Sequence, residues 1–217
     1  MKIVRYQKDN IIKQGILKEK EIYEIEGDLF SEFKMGKKAA ELADVSLLAP
    51  VEPPNIIAIG LNYRQHAEET QADLPEKPLV FLKATSSLTG PESNIVLPQM
   101  APDEVDFEAE LAVIIGKETK NIETVEVSDY ILGYSCANDV SARDCQKRLD
   151  KQWARAKSFD SFCPLGPWIE TDLEPMNSSI RSILNGEIMQ DSNTSDMIFN
   201  IEQLVSYLSH NMTLKPG

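Results

Sequence analysis

Two glutamates inside an apolar run constrain this chain more than anything else in it. Residues 107–115 read Phe-Glu-Ala-Glu-Leu-Ala-Val-Ile-Ile, the pattern of a buried strand, in which charged residues do not belong. Side chains alternate along a strand, so Glu108 and Glu110 share one face, roughly 6–7 Å apart, while Phe107, Ala109, Leu111 and Val113 fill the other. Like charges that close and that buried disfavour joint ionisation unless a cation lies between them. A second apolar segment, Tyr130 to Ala137, ends in Asn138-Asp139, and an aspartate at a strand end can swing into the same place. Glu108, Glu110 and Asp139 are therefore candidate metal ligands. The alternative, an exposed edge strand with solvated glutamates, fits the apolar continuation Leu-Ala-Val-Ile-Ile less well.

The rest of the chain sets the frame for this site. Residues 1–52 hold short alternating segments, Lys2–Tyr6 and Glu21–Ile25, separated by polar turns: a small N-terminal β annex. Val51-Glu-Pro-Pro54 is a natural joint, because paired prolines block a helix, and residues 53–217 form the second unit. In it, Ile56–Gly60, Leu79–Leu82, Ile95–Leu97, Trp168–Ile169 and Ser179–Leu184 read as strands, Leu61–Glu69 as a turn into a helix, and Ser141–Ala156 as helical or irregular. Asn185-Gly186 followed by Glu187-Ile-Met189 predicts a hairpin with a type I′ turn. Ile201, Leu204, Val205 and Leu208 share one helical face behind an Asn200 cap. Lys215-Pro-Gly217 announces a turn, with no partner strand after it. The fold class is a β-rich, mixed α+β chain.

With 217 residues, 42% of them hydrophobic, the chain can bury a real core. Its net charge of −13 argues against a nucleic-acid or membrane-surface partner and requires local cations for any anionic ligand. No segment has the order of a signal peptide or the length of a membrane span, so a cytoplasmic location is expected. Cys136, Cys145 and Cys163 are odd in number and lack metal spacing, which predicts reduced thiols.

His66 follows a buried strand, with Glu69 three residues on and on the same helical face. A carboxylate beside an imidazole raises its basicity, which suits a general base. His210 is expected at the surface. Arg143 and Gln146 fall four and seven places after Asp139, and Lys157 precedes an aromatic-rich loop.

Taken together, Gly60-Leu-Asn-Tyr-Arg-Gln-His-Ala-Glu-Glu69, Asp106-Phe-Glu-Ala-Glu-Leu-Ala-Val-Ile-Ile-Gly-Lys117, Asn138-Asp-Val-Ser-Ala-Arg-Asp144, Lys157-Ser-Phe-Asp-Ser-Phe-Cys-Pro-Leu-Gly166 and Asn185-Gly186 resemble the fumarylacetoacetate hydrolase family in order and spacing. The resemblance implies a β-sandwich or β-roll catalytic core with a small annex. In it Glu108, Glu110 and Asp139 hold Mg²⁺ or Mn²⁺, a hard ion that suits an all-oxygen ligand set. His66 and Glu69 activate water on a lid segment, Lys157 is the active-site lysine, and Arg143 and Gln146 hold substrate oxygens. It implies a homodimer acting on small anionic 2-oxo acids, first by hydrolysis of a C–C bond in an acylpyruvate-like substrate, and alternatively by isomerisation or decarboxylation of hydroxy-dienedioates or oxaloacetate. It also implies C-terminal strands, with a Thr-Gly-Thr-Pro loop, that are missing from this sequence. The rival from outside enzymology is a metal-stabilised β protein, against which the His66–Glu69 pair argues.

Overall fold

The computed structural model describes residues 1–149 and 151–217. The chain opens with an antiparallel meander of β1 (Lys2–Lys8), β2 (Ile11–Lys18), β3 (Glu21–Gly27) and β4 (Phe33–Glu41), closed by β5 (Ser46–Leu48), which pairs with β1. Alternation puts Val4 and Tyr6 in a core with Leu17, Ile22 and Ala40, while Ile3, on the opposite face, packs with Ile114, Leu165 and Ile169. β1 is therefore buried on both sides.

Past the prolines come β6 (Ile56–Ile59), helix α1 (Arg64–Thr70), β7 (Val80–Lys83), β8 (Leu88–Thr89), β9 (Val105–Asp106) and β10 (Ala109–Ile115). A 3₁₀ stretch leads into β11 (Ile131–Asn138) and β12 (Ser141–Ala142), and then a π-helical turn at Cys145–Leu149 precedes α2 (Trp153–Ala156). The chain closes with β13 (Cys163–Glu170), β14 (Ser179–Leu184), β15 (Glu187–Asn193) and α3 (Ile201–Asn211). One nine-stranded sheet runs β10-β11-β13-β1-β2-β3-β4, with β5 on β1 and β8 on β13. The meander joins the second unit through Lys2 opposite Glu170 and Ile3 opposite Ile169. β6–β7, β9–β12 and β14–β15 are separate two-stranded pairs.

The β-rich α+β class is as expected, with three local corrections. Ile95–Leu97 forms no strand; Val96 and Leu97 are exposed, and the Val96 N–H goes to Ser161 Oγ. The segment has no ladder partner, and the following Pro98 cannot extend one. The strand expected from Phe107 breaks at 107–108, so Glu108 sits at the foot of β10 and only Glu110 lies within it. β2, β4, β5, β8, β9 and β12 form on segments whose sequence pattern does not mark a strand.

The hairpin and the last helix form as read. Asn185 and Gly186 both take positive φ, as a type I′ turn demands. Asn200 caps α3 by accepting from the Gln203 N–H at 2.8 Å, and Gln203 reciprocates, while Ile201, Val205 and Leu208 are buried. Asn200→Ala is expected to cost about 1 kcal/mol, read as a lower urea midpoint with an unchanged slope.

Candidate functional site

The site grows from the register of β10 on β11. Glu110 lies opposite Ala137 and Ala109 opposite Asn138. The Asp139 N–H donates to the Glu108 carbonyl at 2.9 Å, and the Glu108 N–H donates to Asn138 Oδ1 at 3.0 Å. This brings Glu108, Glu110 and Asp139 to one corner. Two lysines enter from elsewhere: Lys83 at the end of β7, and Lys157 just after α2, its ammonium 5.2 Å from the centre of the Phe81 ring.

Lys157 Nζ donates to Glu108 Oε2 at 2.9 Å and to Asp139 Oδ2, while Lys83 Nζ donates to Asp139 Oδ1. Both lysine side chains are almost completely buried. Arg143 Nη1 lies 2.7 Å from Glu108 Oε1. Burial pushes the Glu108 carboxyl up, but Lys157 and Arg143 outweigh it and hold the group below the usual carboxylate range. Burial pulls Lys83 down, partly offset by Asp139. Glu110 has the opposite balance: burial, then the charges of Glu108 and Asp139, push its carboxyl up to about 8. No described side chain donates to it. It is half-buried and lines a cavity of about 260 Å³, together with Lys83, Asn138, Asp139 and Tyr63 and an apolar wall that includes Ile57, Leu111 and Val113. The Tyr63 hydroxyl is buried without a hydrogen-bond partner among the described residues.

The structure thus gathers Glu108, Glu110, Asp139 and Lys157, with Arg143 at their edge. Arg143 also holds Asp106 through Nε at 3.1 Å and Nη2 at 2.9 Å, and Gln146 Oε1 through Nη1 at 3.0 Å. His66 and Glu69 are not brought to the cluster. Both are exposed on α1, neither lines the cavity, and no hydrogen bond or ion pair joins them to each other or to the carboxylates. Sequence reasoning missed Lys83, although the signal was present: a charge closing the apolar run Leu-Val-Phe-Leu at 79–82 is the same anomaly as a glutamate within one. His210 is exposed; Cys136 is exposed, and Cys145 and Cys163 are buried free thiols.

Among the described residues, no group of three or more His, Cys, Asp or Glu side chains stands so as to hold a metal ion. Lysines hydrogen-bond the oxygens of Glu108 and Asp139 instead. The donor chemistry nevertheless fits a hard divalent cation: the ligands are all oxygen, and Glu110 is a carboxyl crowded by two others with no cation of its own.

A sequence profile described as fumarylacetoacetate (FAA) hydrolase C-terminal matches residues 55–217, and one described as Rv2993c-like, N-terminal matches residues 1–50. The chain is 45% identical to oxaloacetate tautomerase Fahd2a, mitochondrial, of Rattus norvegicus, over 81% of this chain and 57% of the rat protein. It spans little more than half of that relative. Its fold matches the crystal structure of 5-carboxymethyl-2-hydroxymuconate delta-isomerase from Mycobacterium smegmatis with a TM-score of 0.92 at 39% identity, covering 100% of this chain and 85% of that one. It matches 2-hydroxyhepta-2,4-diene-1,7-dioate isomerase from Mycobacterium marinum with a TM-score of 0.91 at 38% identity, covering 100% and 84%.

Proposed function

Because the chain belongs to the fumarylacetoacetate hydrolase family, we propose that it is an isomerase of small enolisable 2-oxo acids, working by enol–keto tautomerisation more than by C–C hydrolysis. The observation that carries this reading is the composition of the cavity's polar end. Lys83, Glu110 and Asp139 line it, with Lys157 hydrogen-bonded to Asp139, while the pair suited to activating water, His66 and Glu69, lies exposed outside it. The similar proteins named as a tautomerase and as isomerases support the same choice.

Tautomerisation moves one proton between C3 and the oxygen on C2 and consumes no water. Lys83, pulled down by burial and lining the cavity, is placed to hold or release that proton at Nζ. Lys157 holds Glu108 and Asp139 in place and favours the ionised form of Glu108. The Tyr63 hydroxyl, without a partner among the described residues, offers a donor to a substrate oxygen beside the apolar wall of the cavity. Enzymes of this family generally use a divalent metal; held by Glu108, Glu110 and Asp139, it would supply Lewis-acid polarisation of the substrate's oxygens. The basic groups at this corner also let a chain of net charge −13 take a small anion. The proposal extends to a cytoplasmic homodimer; among the described residues no helix is long and apolar enough to cross a membrane.

The test follows the ultraviolet absorbance of oxaloacetate enol, with Mg²⁺ or Mn²⁺, beside cleavage of an acylpyruvate. The expected result is faster tautomerisation than cleavage, with His66→Ala within about 3-fold of the parent, well short of the roughly 10²-fold or more that a lost acid–base group costs. Faster acylpyruvate cleavage, abolished in His66→Ala, would restore the hydrolase reading.

A further inference from the structure

The hairpin of β14 and β15 shares no ladder with the main sheet, yet it touches the foot of the carboxylate strand. Gln190 Oε1 accepts a 2.8 Å hydrogen bond from the N–H of Ala109, the residue between Glu108 and Glu110. The direction of that N–H follows from the register. Glu108 accepts from the Asp139 N–H, so residue 108 turns its hydrogen-bonding groups toward β11, and Ala109, next along the pleat, turns its own away. Among the described residues β10 is the edge of its sheet, with no strand paired on that side. Gln190 supplies the acceptor that a neighbouring strand would have supplied.

Three observations make this contact more than incidental. The adjacent Glu108 N–H is also held by a side-chain amide, Asn138 Oδ1, so the backbone at the root of both glutamates is fixed on its two sides. Ser182, directly opposite Gln190 in the hairpin, keeps a buried and unpartnered hydroxyl. Ala109 and Gln190 are themselves half-buried, so a lost acceptor leaves a partly shielded N–H in need of another partner. The hairpin is also anchored beyond Gln190: Ser192, two residues on and on the same strand face, donates to Gln65 Oε1 at 3.2 Å, Asp196 accepts from the Gln65 N–H at 2.9 Å, and the Thr194 N–H reaches the Ser178 carbonyl at 2.9 Å. Those ties hold a two-stranded ribbon that would be marginal alone.

We propose that Gln190 is a positioning residue for the site, fixing the backbone from which Glu108 and Glu110 project. The inference rests on the reading that these carboxylates hold a divalent cation. Gln190→Met keeps the side chain's length and removes the carbonyl; Asp191→Asn, which breaks the exposed ion pair with Arg181 on the same hairpin, is the control. Amide hydrogen exchange on cation-free protein reads Ala109 directly. Its exchange should be about 10-fold faster in Gln190→Met, the order expected for loss of one backbone hydrogen bond, and unchanged in the control. Calorimetric titration with Mn²⁺ should show binding about 10-fold weaker in Gln190→Met and unaltered in Asp191→Asn, as outer supports of metal ligands generally behave. Unchanged Ala109 exchange or unchanged Mn²⁺ affinity in Gln190→Met overturns the proposal. If the parent protein itself takes up no Mn²⁺, the cation reading fails, and exchange at Ala109 still decides whether Gln190 anchors the strand.

Discussion

Glu110→Gln is expected to stabilise the cation-free protein at pH 9 and to leave its stability unchanged near pH 4. The Glu110 carboxyl is pushed from an ordinary 4.5 up to about 8 by burial and by Glu108 and Asp139. Below 4.5 both folded and unfolded chains hold this proton, and the group contributes nothing to the pH dependence. Between 4.5 and 8 the unfolded chain releases the proton while the folded chain keeps it, so stability falls as pH rises; above 8 the whole penalty is present. At 1.36 kcal/mol per unit the shift corresponds to roughly 5 kcal/mol, and because Glu110 opens onto the cavity, where water screens it, an effect of roughly 3 kcal/mol is the realistic size. Glutamine keeps the shape and removes the charge. Urea midpoints in EDTA at pH 4, 7 and 9 measure it. In Mn²⁺ the order should reverse, because only the parent retains the full ligand set and gains stability from the bound ion. A Glu110→Gln protein no more stable than the parent at pH 9 in EDTA would mean that Glu110 is already paired or solvated.

This site was legible in the sequence to the extent that its residues violate their surroundings. Glu110 in an apolar strand and Asp139 at the end of another could be singled out because burial makes charge costly. Lys83 broke the same rule from the same kind of position, the end of an apolar run, and was missed. What local patterns could not carry is pairing between distant segments. β2 begins with exposed Ile11 and Ile12, which erases the alternation that would have marked it. The joint between meander and second unit depends on Lys2 meeting Glu170, 168 positions away, and no local signal encodes it. His66 and Glu69 share a helical face as their spacing demands, but where that face points depends on contacts of α1 with Asp196 and Met197, which spacing does not reveal. The Gln190 contact is of the same kind: an amide on an unremarkable strand, meaningful only once Ala109 is seen beside it.

Lys157→Met should be among the most damaging single changes in cation-free protein. The Lys157 ammonium is shared by Glu108 and Asp139, and its side chain is 3% exposed. Removing one partner of a buried ion pair leaves the other charge without compensation, at a cost of about 3–5 kcal/mol. Two groups soften the loss: Lys83 still reaches Asp139 Oδ1, and Arg143 still faces Glu108 Oε1. The lower end of that range, about 3 kcal/mol, is therefore expected as a fall in unfolding free energy in EDTA at pH 7. Mn²⁺ should restore more stability to Lys157→Met than it adds to the parent, since in the variant no ammonium competes for the inner oxygens. Activity should not return with stability, because the cation replaces the charge but not the fixed donor between the two carboxylates; a loss of roughly 10²-fold or more should persist in saturating Mn²⁺. If Lys157→Met is as stable as the parent in EDTA, the carboxylates at this corner are solvated and the buried charge network drawn around Lys157 does not exist in solution. If Mn²⁺ instead restores activity along with stability, Lys157 serves only to balance charge, and proton handling at this corner falls to Lys83.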